Sequence, residues 1–389
     1  MFKIQTLNHI AAIGLNHFPR ELYEISTEIQ HPDAILVRSY NLHNMLIPVS
    51  VKAIGRAGAG LNNIPITTLT QRGIPVFNTP GANANAVREL VIAGMLLASR
   101  HICAAWDYVR QLQASQIDLE KEIEQNKKKF VGFELMGKTL GLIGLGSVGV
   151  KVANAAISLG MEVIGYDPTI SVNRAWELSS NVRQAHSVDD LLMSADFVSF
   201  HVPLTEATKN MINTSRLQLM KQGVVLLNFA RDGIIDNVAL AEAIHEQKVF
   251  AYVTDFPCAA LQQHPRVICL PHLGASTKEA EENCAVMLAK QIRHFLETGS
   301  ISNAVNFPMI EIPALQSGVR LAVVNENVPN MVAQISSQLA AAGLNIVSLL
   351  NKSLNDIAYT IIDVNKDITT ALLKQIASIE GVMQLRTIS

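Results

Sequence analysis

Gly137-Lys-Thr-Leu-Gly-Leu-Ile-Gly-Leu-Gly-Ser-Val-Gly149 is the stretch that decides the fold of this 389-residue chain. From Thr139 to Leu145 it is an apolar run of strand length, and Ser147–Leu159 continues at helical spacing. Between them stands a GxGxxG, Gly144, Gly146 and Gly149, with Ser147 and Val148 inside it. The next apolar strand, Glu162–Asp167, ends on an aspartate eighteen positions after Gly149. A glycine turn alone is weak evidence, but strand, turn, helix and a following acidic strand end are the context a dinucleotide site requires. The first glycine permits the tight turn, the second lets backbone approach a pyrophosphate, and the third allows close helix–strand packing. The helix start offers unpaired N–H groups and partial positive charge to phosphates. Asp167 would accept hydrogen bonds from ribose hydroxyls and repel a 2′-phosphate, which favours NAD over NADP.

Outward from this unit the alternation repeats. Strands are expected at Asp196–Phe200, Val224–Phe229, Ala251–Asp255 and Val267–Leu270, with a helix at Asn237–His245. Continuously apolar strands separated by helices imply a parallel sheet covered on both faces, a doubly wound α/β domain. Upstream, Ala34–Arg38, Val51–Gly55 and Pro75–Asn78 read as further strands, and Val87, Leu90, Val91 and Gly94 recur at helical spacing behind Asn83 and Asn85. The run Glu120–Lys129 reads as a solvated helix end and loop. Downstream, Asn283–Glu297 is an amphipathic helix closed by Gly299, and Asn306–Gly318, with two prolines, reads as a linker. The remainder has the order strand (Arg320–Asn325), helix (Asn330–Ala342), strands (Asn345–Asn351, Ile357–Val364), helix (Thr370–Ile379), strand (Val382–Thr387). That βαββαβ order suggests a ferredoxin-like sandwich.

Three polar residues follow successive strands of the doubly wound region: Arg231 in NFARDGIID, Asp255 at the end of AYVTD, and His272 in ICLPHLGAS. Ligands of open parallel sheets bind outside the carboxyl ends of the strands, so the three can converge beside a nicotinamide. Oxidising a secondary alcohol needs a base for the hydroxyl proton, which histidine provides near neutrality. A carboxylate on the substrate calls for the planar fork of arginine. Taken singly, each residue also reads as a surface arginine, a turn cap or a loop histidine.

Composition sets outer limits. With 31 Lys+Arg against 33 Asp+Glu the net charge is −2, which argues against a general nucleic-acid binder. The four cysteines (Cys103, Cys258, Cys269, Cys284) form no CxxC pair and no zinc-like spacing, so a reduced intracellular protein with no metal is expected. The N-terminus has no signal-peptide pattern, and the uncharged run Asn327–Asn351 carries too many amides and hydroxyls for a membrane helix. A soluble, cytoplasmic protein without membrane contact is the expectation.

The chain resembles the D-2-hydroxyacid dehydrogenases, and within them the phosphoglycerate-oxidising branch that bears a C-terminal ACT domain. The resemblance rests on VRS at 37–39, GRAGAGLNNI at 55–64, NTPGANANAVREL at 78–90, GKTLGLIGLGSVG at 137–149, NFARDGIID at 228–236, YVTDFP at 252–257 and PHLGAST at 271–277. It implies a flavodoxin-like substrate domain (1–98 and 283–308) interrupted by a Rossmann-like NAD domain (99–282), with a cleft that closes on substrate, and an ACT domain at 318–389. It implies NAD-dependent oxidation of 3-phospho-D-glycerate to 3-phosphooxypyruvate, the first step of L-serine synthesis, in a homodimer or homotetramer. Another D-2-hydroxy acid, or NAD(H) sensing without catalysis, are the alternative readings.

Carried over by motif, Arg231 would bind the substrate carboxylate and 2-oxygen, His272 would be the acid/base, and Asp255 would stand beside the nicotinamide. Ser147, Val148, Pro203, Ala230 and Gly274 match cofactor contacts. Arg38, Ser39, Arg56, Ala57 and Gly58 match segments that face the substrate, the two arginines being candidates for its phosphate. The family glutamate that hydrogen-bonds the histidine is missing, since no carboxylate occurs from Phe256 to Pro271. In the tail, Asn325, Asn327 and Asn345 match positions that bind L-serine between two ACT copies, although family members often carry His at 325 and Gly at 330.

Overall fold

The computed structural model describes residues 1–113 and 118–388. Its contacts divide the chain into two compact units, Asn83–Ala280 and a discontinuous one of Met1–Ala82 with Glu281–Ser389.

In the discontinuous unit, β1 (Phe2–Leu7), β2 (Tyr23–Ser26), β3 (Ala34–Val37), β4 (Ala53–Arg56) and β5 (Val76–Phe77) form a five-stranded sheet of order β2-β1-β3-β4-β5. All its pairings are parallel, and this is the flavodoxin-like order. Helix Lys278–Thr298 lies across it. Leu288 and Ile292 pack close to Gly55, where a Cβ would sit 2.5 Å from Leu288 Cδ1, so a larger residue there would push the leucine side chain aside.

The unit Asn83–Ala280 carries β6 (Thr139–Ile143), β7 (Glu162–Tyr166), β8 (Val182–Gln184), β9 (Phe197–Phe200), β10 (Val224–Asn228), β11 (Val249–Thr254) and β12 (Val267–Cys269). Their order is β12-β11-β10-β9-β6-β7-β8, all parallel, with the reversal of strand order falling between β6 and β9. β6, β9 and β10 are buried along their whole length, as expected of strands covered by helices on both faces. Ser171, Ser187, Asn213 and Asp236 cap the helices that follow them through side-chain bonds to first-turn N–H groups. Helix Ala84–Ser99 belongs here and not with the first sheet, unlike the expected boundary at 98. Gly94 lets it approach the sheet until Leu227 and Phe229 lie about 3 Å from a hypothetical Cβ. Asn83 stands at its N-cap without making the expected side-chain bond.

Of the expected linker Asn306–Gly318, the first half is packed and not free, with Phe307, Ile310 and Ile312 buried in the core and Asn306 Oδ1 accepting from Val76 N. Beyond it, β13 (Val319–Glu326), β14 (Ile346–Leu354), β15 (Ile357–Val364) and β16 (Val382–Ile388) make an antiparallel sheet of order β14-β15-β13-β16, with helices Met331–Ala341 and Thr370–Ala377 between strands. The βαββαβ order is as expected. The tail has a core of its own around Leu321, Ile335, Ile362 and Ile376, and it also shares one with the first sheet, in which Val324, Tyr359 and Ile361 join Phe77, Leu288 and Phe295. Three tail side chains satisfy carbonyls at the end of helix Lys278–Thr298. Arg386 donates to Phe295 O (2.7 Å), Arg320 to Thr298 O (2.9 Å) and Tyr359 to Gly299 O (2.8 Å). Arg320, 1% exposed, is also held by Asp363 through two bonds of 2.6 and 2.8 Å. No single helix among the described residues is long and apolar enough to cross a membrane.

Candidate active site

The glycine turn after β6 is built as its sequence requires. Gly144 has φ +95°, and a Cβ on it would lie 2.6 Å from His201 O. A Cβ on Gly149 would lie 2.0 Å from Gly144 O. At Gly146, by contrast, a Cβ would meet nothing within 4 Å, so this glycine leaves an open approach to the backbone. Gly146 is also the N-cap of helix Ser147–Ser158 and provides no side-chain cap, which leaves first-turn N–H groups for a ligand. Asp167, just past β7, accepts from Leu145 N and Thr169 N, both at 2.8 Å. These bonds fix the carboxylate beside the turn, and its remaining lone pairs can take ribose hydroxyls. The turn, the open cradle and the acidic strand end fit the adenosine side of a dinucleotide.

The register of the sheet brings the three polar residues to one rim. Asn228 pairs with Thr254, and Thr254 with Cys269. Arg231, Asp255 and His272 therefore follow the carboxyl ends of three adjacent strands. Asn228, which sequence reasoning passed over, shapes the first turn. Its side chain accepts from Ala230 N (3.2 Å) and donates to Arg231 O (2.9 Å), while Arg231 Nη1 folds back onto Ala230 O (2.6 Å). Pro203, beyond β9, accepts from Thr208 Oγ1 at 2.6 Å.

Asp255 is 1% exposed and its Oδ2 accepts from Gly274 N at 2.9 Å, which pins the loop that carries His272. Burial pushes its carboxyl up from the usual range, against the lowering effect of Gly274 N–H and of His272 nearby. Its Oδ1 is buried with no partner, an acceptor available to an N–H donor such as the nicotinamide carboxamide. Among the described residues no carboxylate hydrogen-bonds His272. Its ring packs instead on Phe256, centroids 4.7 Å apart and planes at 53°.

In the discontinuous unit, Arg56 ends β4 beside Val37, the residue before Arg38. Arg56 Nε donates to Asn63 Oδ1 at 3.1 Å, and Asn63 Nδ2 donates to Arg38 O (3.3 Å) and Tyr40 O (2.7 Å). Arg38 pairs with Glu281 at 2.7 Å, a partner the sequence did not flag. Ala57 is buried and Ser39 exposed. Gly58 has φ +153°, and a Cβ there would sit 2.5 Å from Arg56 Nη1.

In the tail, Asn325, Asn327, Asn330, Met331 and Asn351 line a recess of about 400 Å³. The amide of Asn325 is engaged internally, donating to Glu326 O at 2.7 Å and accepting from Thr360 Oγ1 at 3.3 Å. Asn345 does not join them. It precedes Ile346, which pairs with Val364, whereas Asn325 pairs with Ala358 near the other end of β15, so one chain does not assemble the three residues.

Residues 92–274 match the family described as D-isomer specific 2-hydroxyacid dehydrogenase, NAD binding domain. A D-3-phosphoglycerate dehydrogenase of Haemophilus influenzae is 32% identical over 347 residues, covering 86% of this chain and 81% of that protein. One of Archaeoglobus fulgidus is 39% identical over 298 residues, 74% of this chain and 54% of that protein, so the chain spans about half the length of this relative. Among solved structures, the NAD+-bound 3-phosphoglycerate dehydrogenase of Entamoeba histolytica is 27% identical with a TM-score of 0.61, covering 79% of this chain and 99% of that one. A glyoxylate reductase from Paecilomyes thermophila is 26% identical with a TM-score of 0.65, covering 78% and 98%.

Proposed function

The chain belongs to the D-isomer specific 2-hydroxyacid dehydrogenases, with NAD as cofactor, and from that premise we propose that it oxidises 3-phospho-D-glycerate to 3-phosphooxypyruvate. The observation that carries the reading is the row of Arg231, Asp255 and His272 at three adjacent strand ends. Bound NAD supplies the hydride acceptor. In this proposal the guanidinium of Arg231 holds the substrate carboxylate and fixes the 2-carbon, and an imidazole nitrogen of His272 takes the 2-hydroxyl proton. Asp255 holds the His272 loop by accepting from Gly274 N, and its charge favours the imidazolium that forms. Without a carboxylate bonded to His272, that support comes across space. Arg56 and Arg38 are the proposed phosphate ligands.

The tail is proposed to be an ACT domain that binds L-serine at the recess around Asn325 and Asn327, with Asn345 supplied by a second copy in a homo-oligomer. The four cysteines are free thiols, which supports a reducing, cytoplasmic setting. The test compares 3-phosphooxypyruvate with hydroxypyruvate, which lacks the phosphate, as substrates for reduction. The proposal expects kcat/KM at least about tenfold higher for the phosphorylated acid, and Arg56→Met to erase most of that preference. Equal kcat/KM for both acids would assign the enzyme to another 2-hydroxy acid.

A further inference from the structure

We propose that Arg174 is a cofactor-binding residue, set over the first turn of helix Ser147–Ser158 to meet the pyrophosphate of the dinucleotide. Arg174 lies in the short helix Val172–Glu177, seven residues past Asp167. Its Nη2 donates to Ser147 Oγ at 3.1 Å and its Nη1 to Glu177 Oε2 at 2.6 Å. Ser147 is the first residue of the helix that Gly146 leaves without a side-chain cap, so the guanidinium stands beside those first-turn N–H groups.

A cation is misplaced there if the fold alone is considered. The N-terminal end of a helix carries partial positive charge, and a guanidinium beside it costs stability until an anion arrives. Nor is the ion needed to attach the short helix. Asn154 already does so, its Nδ2 donating to Glu177 O at 2.8 Å and its Oδ1 accepting from Ser179 N at 2.9 Å. Glu177 and Ser147 each take one of the five N–H donors of the guanidinium, and the fork keeps further donors for a phosphate oxygen. Glu177 orients the fork while sitting half exposed, at 52% against 33% for Arg174. Asp167, an acceptor fixed by two backbone N–H groups, marks the ribose hydroxyls, which assigns the pyrophosphate and not a 2′-phosphate to Arg174. The proposal rests on NAD being the cofactor.

The test uses the full chain with Arg174→Met and Arg174→Lys, reading NADH binding by fluorescence, competition by ADP-ribose and adenosine, and thermal unfolding. The Met variant is expected to raise the NADH Kd about tenfold, with the Lys variant in between. ADP-ribose should weaken by the same factor, adenosine should be unchanged, and NADH binding should become less sensitive to salt. An unchanged NADH Kd overturns the proposal. Equal weakening of adenosine and ADP-ribose together with a lowered Tm overturns it in favour of a purely structural contact. A larger loss for NADPH than for NADH overturns it by moving the charge to the 2′-position. Absence of NADH binding by the unsubstituted chain would overturn the cofactor reading, and this proposal with it.

Discussion

Replacing each glycine of the turn by alanine separates what the fold needs from what the ligand needs. At Gly149 the new methyl would lie 2.0 Å from Gly144 O, a backbone atom that no side-chain rotation relieves. Overpacking of this kind costs about 3 kcal/mol. At Gly144 the backbone has φ +95°, and the methyl would also face His201 O at 2.6 Å. The left-handed conformation alone costs about 1–2 kcal/mol for alanine. At Gly146 the methyl meets nothing within 4 Å and φ is −73°, so the backbone is unstrained. Alanine is a poorer N-cap than glycine, but it also loses less freedom on folding, by about 0.4–1 kcal/mol, and the two effects nearly cancel. In a domain of this size 1 kcal/mol moves Tm by about 2–4 °C. Gly149→Ala and Gly144→Ala should therefore lower Tm by roughly 5–10 °C, and Gly146→Ala by less than about 2 °C. NADH binding should show a different order. The Gly146 methyl fills the cradle and removes at least one charge-assisted hydrogen bond to phosphate, raising Kd about ten- to a hundredfold in a protein of normal stability. Thermal unfolding with NADH fluorescence titration on the three variants is the assay. A Gly146→Ala protein that binds NADH like the parent, or that unfolds as early as Gly149→Ala, would refute the reasoning.

Two further outcomes follow from buried charges. Burial raises the Asp255 pKa, so the folded state favours the protonated acid and ionised Asp255 burdens the fold at neutral pH. Asp255→Asn should thus abolish most turnover while raising Tm at pH 7, and its advantage should shrink as pH falls through the raised pKa; an advantage that grows in acid would contradict the sign. In the tail, Arg320→Met leaves Asp363 and Thr298 O without their partner and should destabilise by about 3–5 kcal/mol. Adding Asp363→Leu should recover much of that loss in denaturant titrations, and no recovery would mean that packing around Arg320, not its charge, dominates.

The parallel interior of the second sheet was legible because β6, β9 and β10 are short, mostly apolar and wholly buried runs between helices, and β3 and β4 were legible as strands by the same apolar character. The strands that the sequence hid lie at or next to an edge. Phe2–Leu7 alternates with Lys3, Gln5 and Thr6, and Tyr23–Ser26 and Val182–Gln184 are short and half exposed. Helix Lys278–Thr298 starts earlier than its apolar spacing suggests, because its first turn (Lys278, Glu279, Glu281) is polar. The placement of Arg231, Asp255 and His272 along one sheet rim was legible because each follows a recognisable strand. The contacts of Arg174, Asn63, Glu281 and Phe256 were not, since they join residues far apart in sequence or are ring contacts with no periodic signature. The missing carboxylate partner of His272 was visible as an absence, but the aromatic packing found at His272 needed coordinates.

The central claim is that His272 moves the proton and Arg231 holds the carboxylate. Its most direct test is the loss of NADH absorbance with 3-phosphooxypyruvate for the parent, His272→Ala and Arg231→Ala, each first verified to bind NADH. The account predicts turnover by the parent, a fall in kcat of about 10²–10⁴ for His272→Ala, and for Arg231→Ala a loss in kcat/KM of at least about a hundredfold. Variants that bind NADH and turn over within a few-fold of the parent would contradict it.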